Sequence, residues 1–390
     1  MLCKDMLIIM NIKHSIVWNI LRPLVAIFLW FKFGYTSGRA KNLPDNYIVL
    51  SNHTTDYDPL LVGVSFRRQM YFVASDHISR WKRAYPFIEF AFAPILRKKG
   101  MNAAHAIIDI LRKLKKGANV CMFAEGVRTW DGVTGRIAET TGQLVKRAGC
   151  GLVTYKIIGG YFLSPGWSNG TRRGYARGDI VNVYSKEQLA QMTPEEINES
   201  ITRDLYEDAY ARQLESPKRY RGKRLAEKLE NLLFICPECG AHETIRSNGN
   251  RAYCSACGMT ITIDEYGMLD GVECKTIREL AALQEKQVRE AALQGDCYKM
   301  DVAKIFLIGD DECECIETGT AYLGAHGFSM GDVHIPLEDI DNMAIHGRRT
   351  VAFSSKKSYY ELKPSDGVNA LKFVLLYKYY REQRDIACLK

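Results

Sequence analysis

The sequence predicts an α/β layer fold in its first half, then a cysteine-rich module and a small β-domain closed by a helix. Three observations carry this. Between residues 47 and 158, apolar strand-like runs alternate with stretches of helical spacing, and strands separated by helices define a layered sheet with helices. Two Cys-x-x-Cys pairs stand close together between Cys236 and Cys257. After Tyr298 the chain turns to short alternating segments with turns between them and ends in one helical stretch, 367–381. At 390 residues there is room for two or three domains, each able to bury a core. A composition of 47% hydrophobic and 25% charged residues with 11 prolines excludes disorder as the main state.

The first element is apolar but interrupted. Met6–Ile12 is one run and Leu24–Phe31 another, with Arg22 and Pro23 before the second. Each is shorter than the roughly 20 residues a spanning helix needs. Trp18, Arg22, Trp30 and Lys32 are residue types that settle at headgroup depth. Residues 1–36 are therefore expected to be a membrane-interface anchor, two short helices broken near Pro23. A signal peptide and a buried soluble helix are the competing readings, and no small-residue cleavage site follows the apolar run.

Next come the layered elements. Tyr47–Leu50 is a short apolar strand running into Ser51, Asn52 and His53; Met70–Ala74 is a second. The stretch 102–116 has helical spacing through Ile107, Ile108, Leu111 and Leu114 and stops at Gly117. Asn119–Phe123 and Gly151–Ile158 are further strands. Composition shifts after Pro217, where 218–233 reads as a charged linker helix, and the cysteine module follows over 234–266. Within a connector over 267–298, residues 276–294 read as a helix with Ile277, Leu280, Leu283 and Val288 on one side. The β-domain, 299–390, carries Ala321–Leu323, His334–Pro336, Val351–Phe353 and Tyr359–Leu362 as strands.

Charge is concentrated. From Arg67 to Lys116 stand twelve lysines and arginines against Asp76, Glu89 and Asp109, a net +9 that accounts for the whole formal charge of +8. Such a field points to an anionic partner, whether nucleic acid, an anionic membrane surface or a phosphorylated substrate. The competing reading for Arg112, Lys113, Lys115 and Lys116 is a solvated helix face.

Three clusters carry chemistry. His53 ends a strand and Asp58 follows five positions later. If the chain turns into a helix near Pro59, Asp58 can accept from one imidazole nitrogen and leave the other to take a proton from a hydroxyl. The second cluster is Phe123-Ala124-Glu125-Gly126-Val127-Arg128-Thr129, also at a strand's end, where glycine permits a sharp turn and arginine offers a planar fork for phosphate. The third is Pro94-Ile95-Leu96-Arg97-Lys98-Lys99, an apolar segment breaking into three cations.

Taken in order after Gly38-Arg39-Ala40-Lys41-Asn42-Leu43-Pro44, these clusters resemble the glycerolipid acyltransferase family, the 1-acylglycerol-3-phosphate acyltransferases, over roughly residues 15–215 with the domain proper at 37–217. The resemblance implies a glycerolipid acyltransferase-like layered sheet, His53 as general base and Asp58 as its orienting partner. It implies that Arg97, Glu125, Gly126 and Arg128 hold the acceptor's phosphate or shape its pocket. It also implies an acyl thioester on coenzyme A or acyl carrier protein as donor and a lysophospholipid as acceptor, on the cytoplasmic face of the membrane. Three positions depart from the family pattern: Ala124 where proline is frequent, Leu152-Val153-Thr154-Tyr155 where a Pro-Val pair is usual, and Ser75 near where a lysine is common.

Cys236, Cys239, Cys254 and Cys257 form two knuckles followed by Gly240 and Gly258. Four thiolates close a tetrahedral Zn²⁺ site without an open position, so a structural zinc ribbon is expected. A chain this long does not need the disulfides that twelve cysteines would otherwise suggest, and a reducing compartment fits. The C-terminal 299–390 looks like a pleckstrin-homology or GRAM-like β-domain. The rival to an enzyme is an adaptor whose ribbon and β-domain serve binding to nucleic acid or anionic membrane. The three motifs in family order favour the enzyme and disfavour nucleic acid.

Overall fold

The computed structural model describes residues 2–80, 83–97, 104–309, 313–356 and 358–388. It divides into two compact units, one within residues 1–222 and the other centred on 223–390.

The first unit opens with α1 (Leu2–Phe33) and then runs β1 (Tyr35–Ser37), β2 (Tyr47–Ser51), α2 (Asp58–Gly63) and β3 (Met70–Ser75). It continues through α3 (Tyr85–Phe92), β4 (Ile95–Arg97), α4 (Ala104–Lys115), β5 (Asn119–Phe123), α5 (Thr140–Ala148) and β6 (Gly151–Ile158). Then come α6 (Gly160–Leu163), β7 (Ala176–Tyr184), α7 (Lys186–Gln191), α8 (Pro194–Leu205) and α9 (Ala209–Glu215). The sheet order is β1-β7-β6-β2-β5-β3-β4. Every pair is parallel except β6 with β7. Every residue of the central β2 is buried, which is why it reads as an unbroken apolar run rather than an alternating one. Pairing with β6 extends beyond Ser51 through Asn52, whose side chain donates to the Ile157 carbonyl (2.9 Å) and accepts from the Ile157 N–H (2.8 Å).

One face of this sheet is covered by α4, α5 and α8. Ile110 and Leu114, Leu144 and Val145, and Ile197, Ile201 and Leu205 pack on Ile48, Leu50, Val120 and Leu152. Spacings of three and four residues put these side chains on one stripe, and each such burial contributes about 1.5–3 kcal/mol. Ile108, expected on that stripe, faces outward at 51% exposure. Capping boxes at Ser185 with Gln188 and Thr193 with Glu196 start α7 and α8.

The N-terminal segment departs from expectation. It is one helix that runs through Pro23, although proline removes the N–H that would bond the Asn19 carbonyl. Packing holds it: Trp18, Leu29 and Phe33 are buried, and the Trp18 Nε1–H donates to the Phe66 carbonyl at 3.1 Å. Gly63 of α2 leaves space for that indole, since a Cβ there would lie 2.9 Å from it. Trp18 therefore belongs to the core, not to a headgroup layer. Arg22 likewise turns inward to the Val64 carbonyl (3.3 Å), while Trp30 stays exposed. The span Lys13–Phe33 is long and apolar enough to cross a membrane, and 17% of it is buried. Its outward side presents Ile16, Ile20, Leu24, Ile27, Phe28 and Phe31, and α3 adds exposed Phe87 and Phe90.

The second unit starts with β8 (Ile245–Asn248), β9 (Arg251–Cys254), β10 (Thr260–Ile263) and β11 (Leu269–Asp270), an antiparallel sheet in the order β11-β10-β9-β8. Then α10 (Ile277–Gln294) is capped by Thr276 and ended by Gly295 at φ 81°. A seven-stranded antiparallel sheet follows: β12 (Tyr298–Ile308), β13 (Cys313–Gly324), β14 (Gly327–Met330), β15 (Val333–Pro336), β16 (Ile340–His346), β17 (Thr350–Ser355) and β18 (Ser358–Pro364), with α11 (Leu371–Cys388) last. The closing helix starts later than expected because Asn369 caps it, its side chain accepting from the Lys372 N–H at 3.0 Å.

The expected charged helix over 218–233 is replaced by irregular chain with one 3₁₀ turn, Leu229–Asn231. Arg224 and Lys228 take φ of 62° and 72°, values incompatible with a helix, and the Lys228 N–H is taken by Ser247 Oγ (2.7 Å).

Candidate active site

In open parallel sheets, functional loops gather beyond the carboxyl ends of the strands. Here β2, β5 and β4 deliver His53, Glu125 and Arg97 to that edge.

Asp58 opens α2 and is fully buried. Its Oδ2 lies 2.8 Å from His53 Nδ1 and accepts from the backbone N–H groups of Thr54 (2.5 Å) and Thr55 (2.9 Å). Its Oδ1 accepts from the hydroxyls of Thr54 (3.0 Å) and Thr55 (3.1 Å). A carboxylate can only accept, so Nδ1 of His53 carries the hydrogen, and Nε2 is the nitrogen able to take a proton. The imidazole stacks on Phe123 of β5, centroids 4.3 Å apart and 19° from parallel, with 19% of the side chain exposed. The two threonines were not singled out from the sequence. A hydroxyl pair between a histidine and its aspartate is the signal that could have found them.

The second loop is stitched to the first. Glu125 Oε1 accepts from the His53 N–H (2.7 Å) and Oε2 from the Gly135 N–H (2.6 Å), so this carboxyl braces the histidine's backbone. The Thr129 N–H reaches the His53 carbonyl at 3.0 Å, and Arg128 pairs with Asp56 at 2.8 Å. Gly126 has φ 72°, and a Cβ on it would lie 3.1 Å from Arg97 Nη1. Glycine is thus required twice, by its backbone and by the guanidinium beside it. Burial lowers the pKa of Arg97, and its Nε is buried with no hydrogen-bond partner among the described residues. All six predicted residues of the two motifs and the β4 end therefore meet in one place. Lys98 and Lys99 lie outside the described residues.

The basic window is partly consumed within the fold. Arg68 donates to the Pro44 and Asp45 carbonyls, both at 2.7 Å, Arg112 pairs with Asp109, and Lys113 sits 3.7 Å over the Tyr71 ring. Among the described residues, the site's own cations are Arg97 and Arg128.

A cavity of about 10 Å³ touches His53, Glu125 and Glu207. Glu207, also not foreseen, is buried and accepts from Arg212 Nε and Nη2, at 2.6 and 2.7 Å.

In the second unit the four predicted cysteines converge, with all Sγ atoms within 4.8 Å of one another. Cys236 to Cys257 and Cys239 to Cys254 are each 3.8 Å. A tetrahedron of Zn–S bonds of about 2.3 Å has edges of about 3.8 Å, so the donor set fits that ion. Gly240 (φ 71°) and Gly258 (φ 79°) make the knuckle turns, and the Ala256 N–H points at Cys254 Sγ (3.4 Å).

Residues 36–158 match the Acyltransferase family model, a span holding all six residues of the upstream site. No curated protein matches the chain. Among solved structures it is similar to the 1-acyl-sn-glycerophosphate (LPA) acyltransferase PlsC from Thermotoga maritima, at 17% identity and a TM-score of 0.37, covering 53% of this chain and 97% of that one.

Burial pushes the Glu125 carboxyl up to about 8, against the pull of its two N–H donors, and Asp58 and Asp131 add to the rise. An unfolded glutamate titrates near 4.5. Between those values the folded chain holds the extra proton, so this group makes stability fall as pH rises from about 4.5 to 8. Melting temperature measured across that range should decline less in Glu125→Gln than in the parent, and parallel curves would contradict the assignment.

Proposed function

We propose that the protein is a membrane-surface acyltransferase. It moves a fatty acyl group from a thioester on coenzyme A or acyl carrier protein to the free hydroxyl of a phosphorylated glycerolipid, 1-acylglycerol-3-phosphate giving phosphatidic acid. The observation that carries this reading is the His53–Asp58 pair, 2.8 Å apart, beside a half-buried Arg97 whose buried Nε has no partner among the described residues. A hydroxyl must be deprotonated as it attacks, and an acceptor phosphate satisfies a guanidinium that is otherwise costly to bury.

In this mechanism His53 Nε2 takes the hydroxyl proton while that oxygen bonds to the thioester carbonyl carbon. The tetrahedral adduct collapses, the C–S bond breaks, and the thiolate leaves with the proton returned from the imidazolium. Asp58 keeps the ring oriented and offsets its transient charge. Arg97 seats the phosphate, Arg128 shapes the loop through Asp56, and Glu125 and Gly126 hold the pocket's backbone. The outward apolar side of α1 with Phe87 and Phe90 would rest on the cytoplasmic face of the membrane, where acceptor lipid resides.

Cys236, Cys239, Cys254 and Cys257 would hold a structural Zn²⁺. The metal supplies cross-linking of the ribbon and, with four thiolates, no open position for substrate. Gln284 of α10 ties the ribbon's start in place, accepting from the Phe234 and Ile235 N–H groups (2.7 and 3.1 Å). Buried Lys372 of α11 pairs with Glu243 at 2.8 Å. The antiparallel sheet closed by α11 supports the pleckstrin-homology or GRAM-like reading of 299–390.

Thioester consumption should depend on added lysophosphatidic acid and fall about 10²–10⁴-fold in His53→Ala with the fold retained; near-parent turnover by that variant would remove the mechanism. Purified protein should contain one zinc per chain. Its removal by chelation should lower the unfolding temperature of the second unit, because α10 and α11 are keyed to the ribbon. An unchanged unfolding profile would mean that the cysteines hold no structural metal.

A further inference from the structure

The small cavity at His53 shares Gly159, Glu207 and Ala209 with a larger cleft of about 260 Å³. We infer that this cleft seats the phosphorylated adenosine end of a coenzyme A thioester. The inference rests on the acyl-transfer reading and deepens it by choosing the donor.

The floor of the cleft is aromatic. Phe162 and Tyr220 are buried with ring centroids 4.9 Å apart, and the Tyr220 hydroxyl donates to the Tyr175 carbonyl at 2.8 Å. The Tyr175 ring is exposed at the mouth, with Lys218 Nζ 5.7 Å from its centre. An exposed aromatic face can stack a base whatever its sequence identity, and the adjoining cation can meet the phosphate attached to it.

Lys218 and Arg212 line the cleft together with Glu207. Exposed Arg221 follows Tyr220, and exposed Arg173 stands two residues before Tyr175. Reciprocal backbone hydrogen bonds of 2.8 Å join these two arginines, and the Arg173 guanidinium is turned to the Phe31 carbonyl (3.0 Å). Some of the nearby charge is offset, Arg212 by Glu207 and Arg177 by Asp179. Lys218 is held in place from behind: buried Gln213 accepts from its N–H (3.0 Å) and donates to its carbonyl (2.5 Å). A cation whose backbone is fixed this way loses little freedom on binding an anion.

The shape selects among anions. The volume lies just below the roughly 300–1,000 Å³ of whole-ligand pockets, which suits one ring system with its phosphates. It is a concave cleft of about 260 Å³, whereas an acidic carrier protein would need a broad exposed face. Gly159, Glu207 and Ala209 line both spaces, so the cleft lies beside the cavity that touches His53.

Adenosine 3′,5′-bisphosphate titrated calorimetrically into the full-length protein should bind, and Lys218→Glu should weaken that binding about tenfold or more. In steady-state assays the same variant should raise KM for acyl-coenzyme A to a similar degree. It should leave KM for lysophosphatidic acid unchanged, along with turnover of an acyl-N-acetylcysteamine thioester, which lacks the nucleotide. Absence of bisphosphate binding would overturn the proposal. So would an equal loss with the truncated thioester, or a loss confined to acyl carrier protein as donor. Bisphosphate binding that depends on Lys218 in a protein transferring acyl groups to no acceptor would support the cleft while removing the acyl-transfer reading.

Discussion

A carboxylate without solvent access organises the site. Asp58 is 0% exposed, and burying a charge unaided costs several kcal/mol. Five donors offset that cost: two backbone N–H groups, two threonine hydroxyls and the His53 ring. The whole turn from His53 to Asp58 is folded around those bonds. The imidazole's orientation, the start of α2 and the course of the Thr54–Thr55 backbone are thus one structural decision.

The parallel sheet brings the second loop to this turn. Adjacent β2 and β5 end side by side, and three links join their loops: Glu125 to the His53 N–H, Thr129 to the His53 carbonyl, and Arg128 to Asp56. A third approach comes from the end of α1. Lys32 donates to the Tyr57 hydroxyl at 3.1 Å, and the Phe33 ring lies 4.8 Å from that of Tyr57. The helix proposed to rest on the membrane is therefore packed against the residue preceding Asp58, so anchor and chemistry share a rigid connection.

Much of this was legible in the chain. The strands at 47, 70, 119 and 151 were readable because buried parallel strands are unbroken apolar runs, and the helix over 276–294 because Ile277, Leu280 and Val288 recur on one buried side. The six upstream residues were named through the order of three motifs that resembles the acyltransferase family, and the four cysteines by type and spacing. What escaped depends on tertiary partners. Trp18 has the chemistry of an interface residue, and only the space above Gly63 and the Phe66 carbonyl make it a core one. Pro23 breaks an isolated helix, but not one fastened on both sides of it. The charged stretch after Pro217 lacks a clean apolar stripe, and the N–H groups of Leu225, Ala226 and Lys228 go to Asn250, Gly249 and Ser247 instead of to a helix of its own. Glu207 lies about 80 residues beyond the second motif, with no local pattern to mark it.

The central claim is that Asp58 fixes which nitrogen of His53 serves as base. ¹⁵N NMR of selectively labelled imidazole near neutral pH reads this directly. The account predicts a protonated Nδ1 and an unprotonated Nε2 for His53, with that preference lost in Asp58→Asn, whose amide can also donate. A His53 protonated at Nε2 in the parent protein, or a tautomer unchanged by Asp58→Asn, would contradict it.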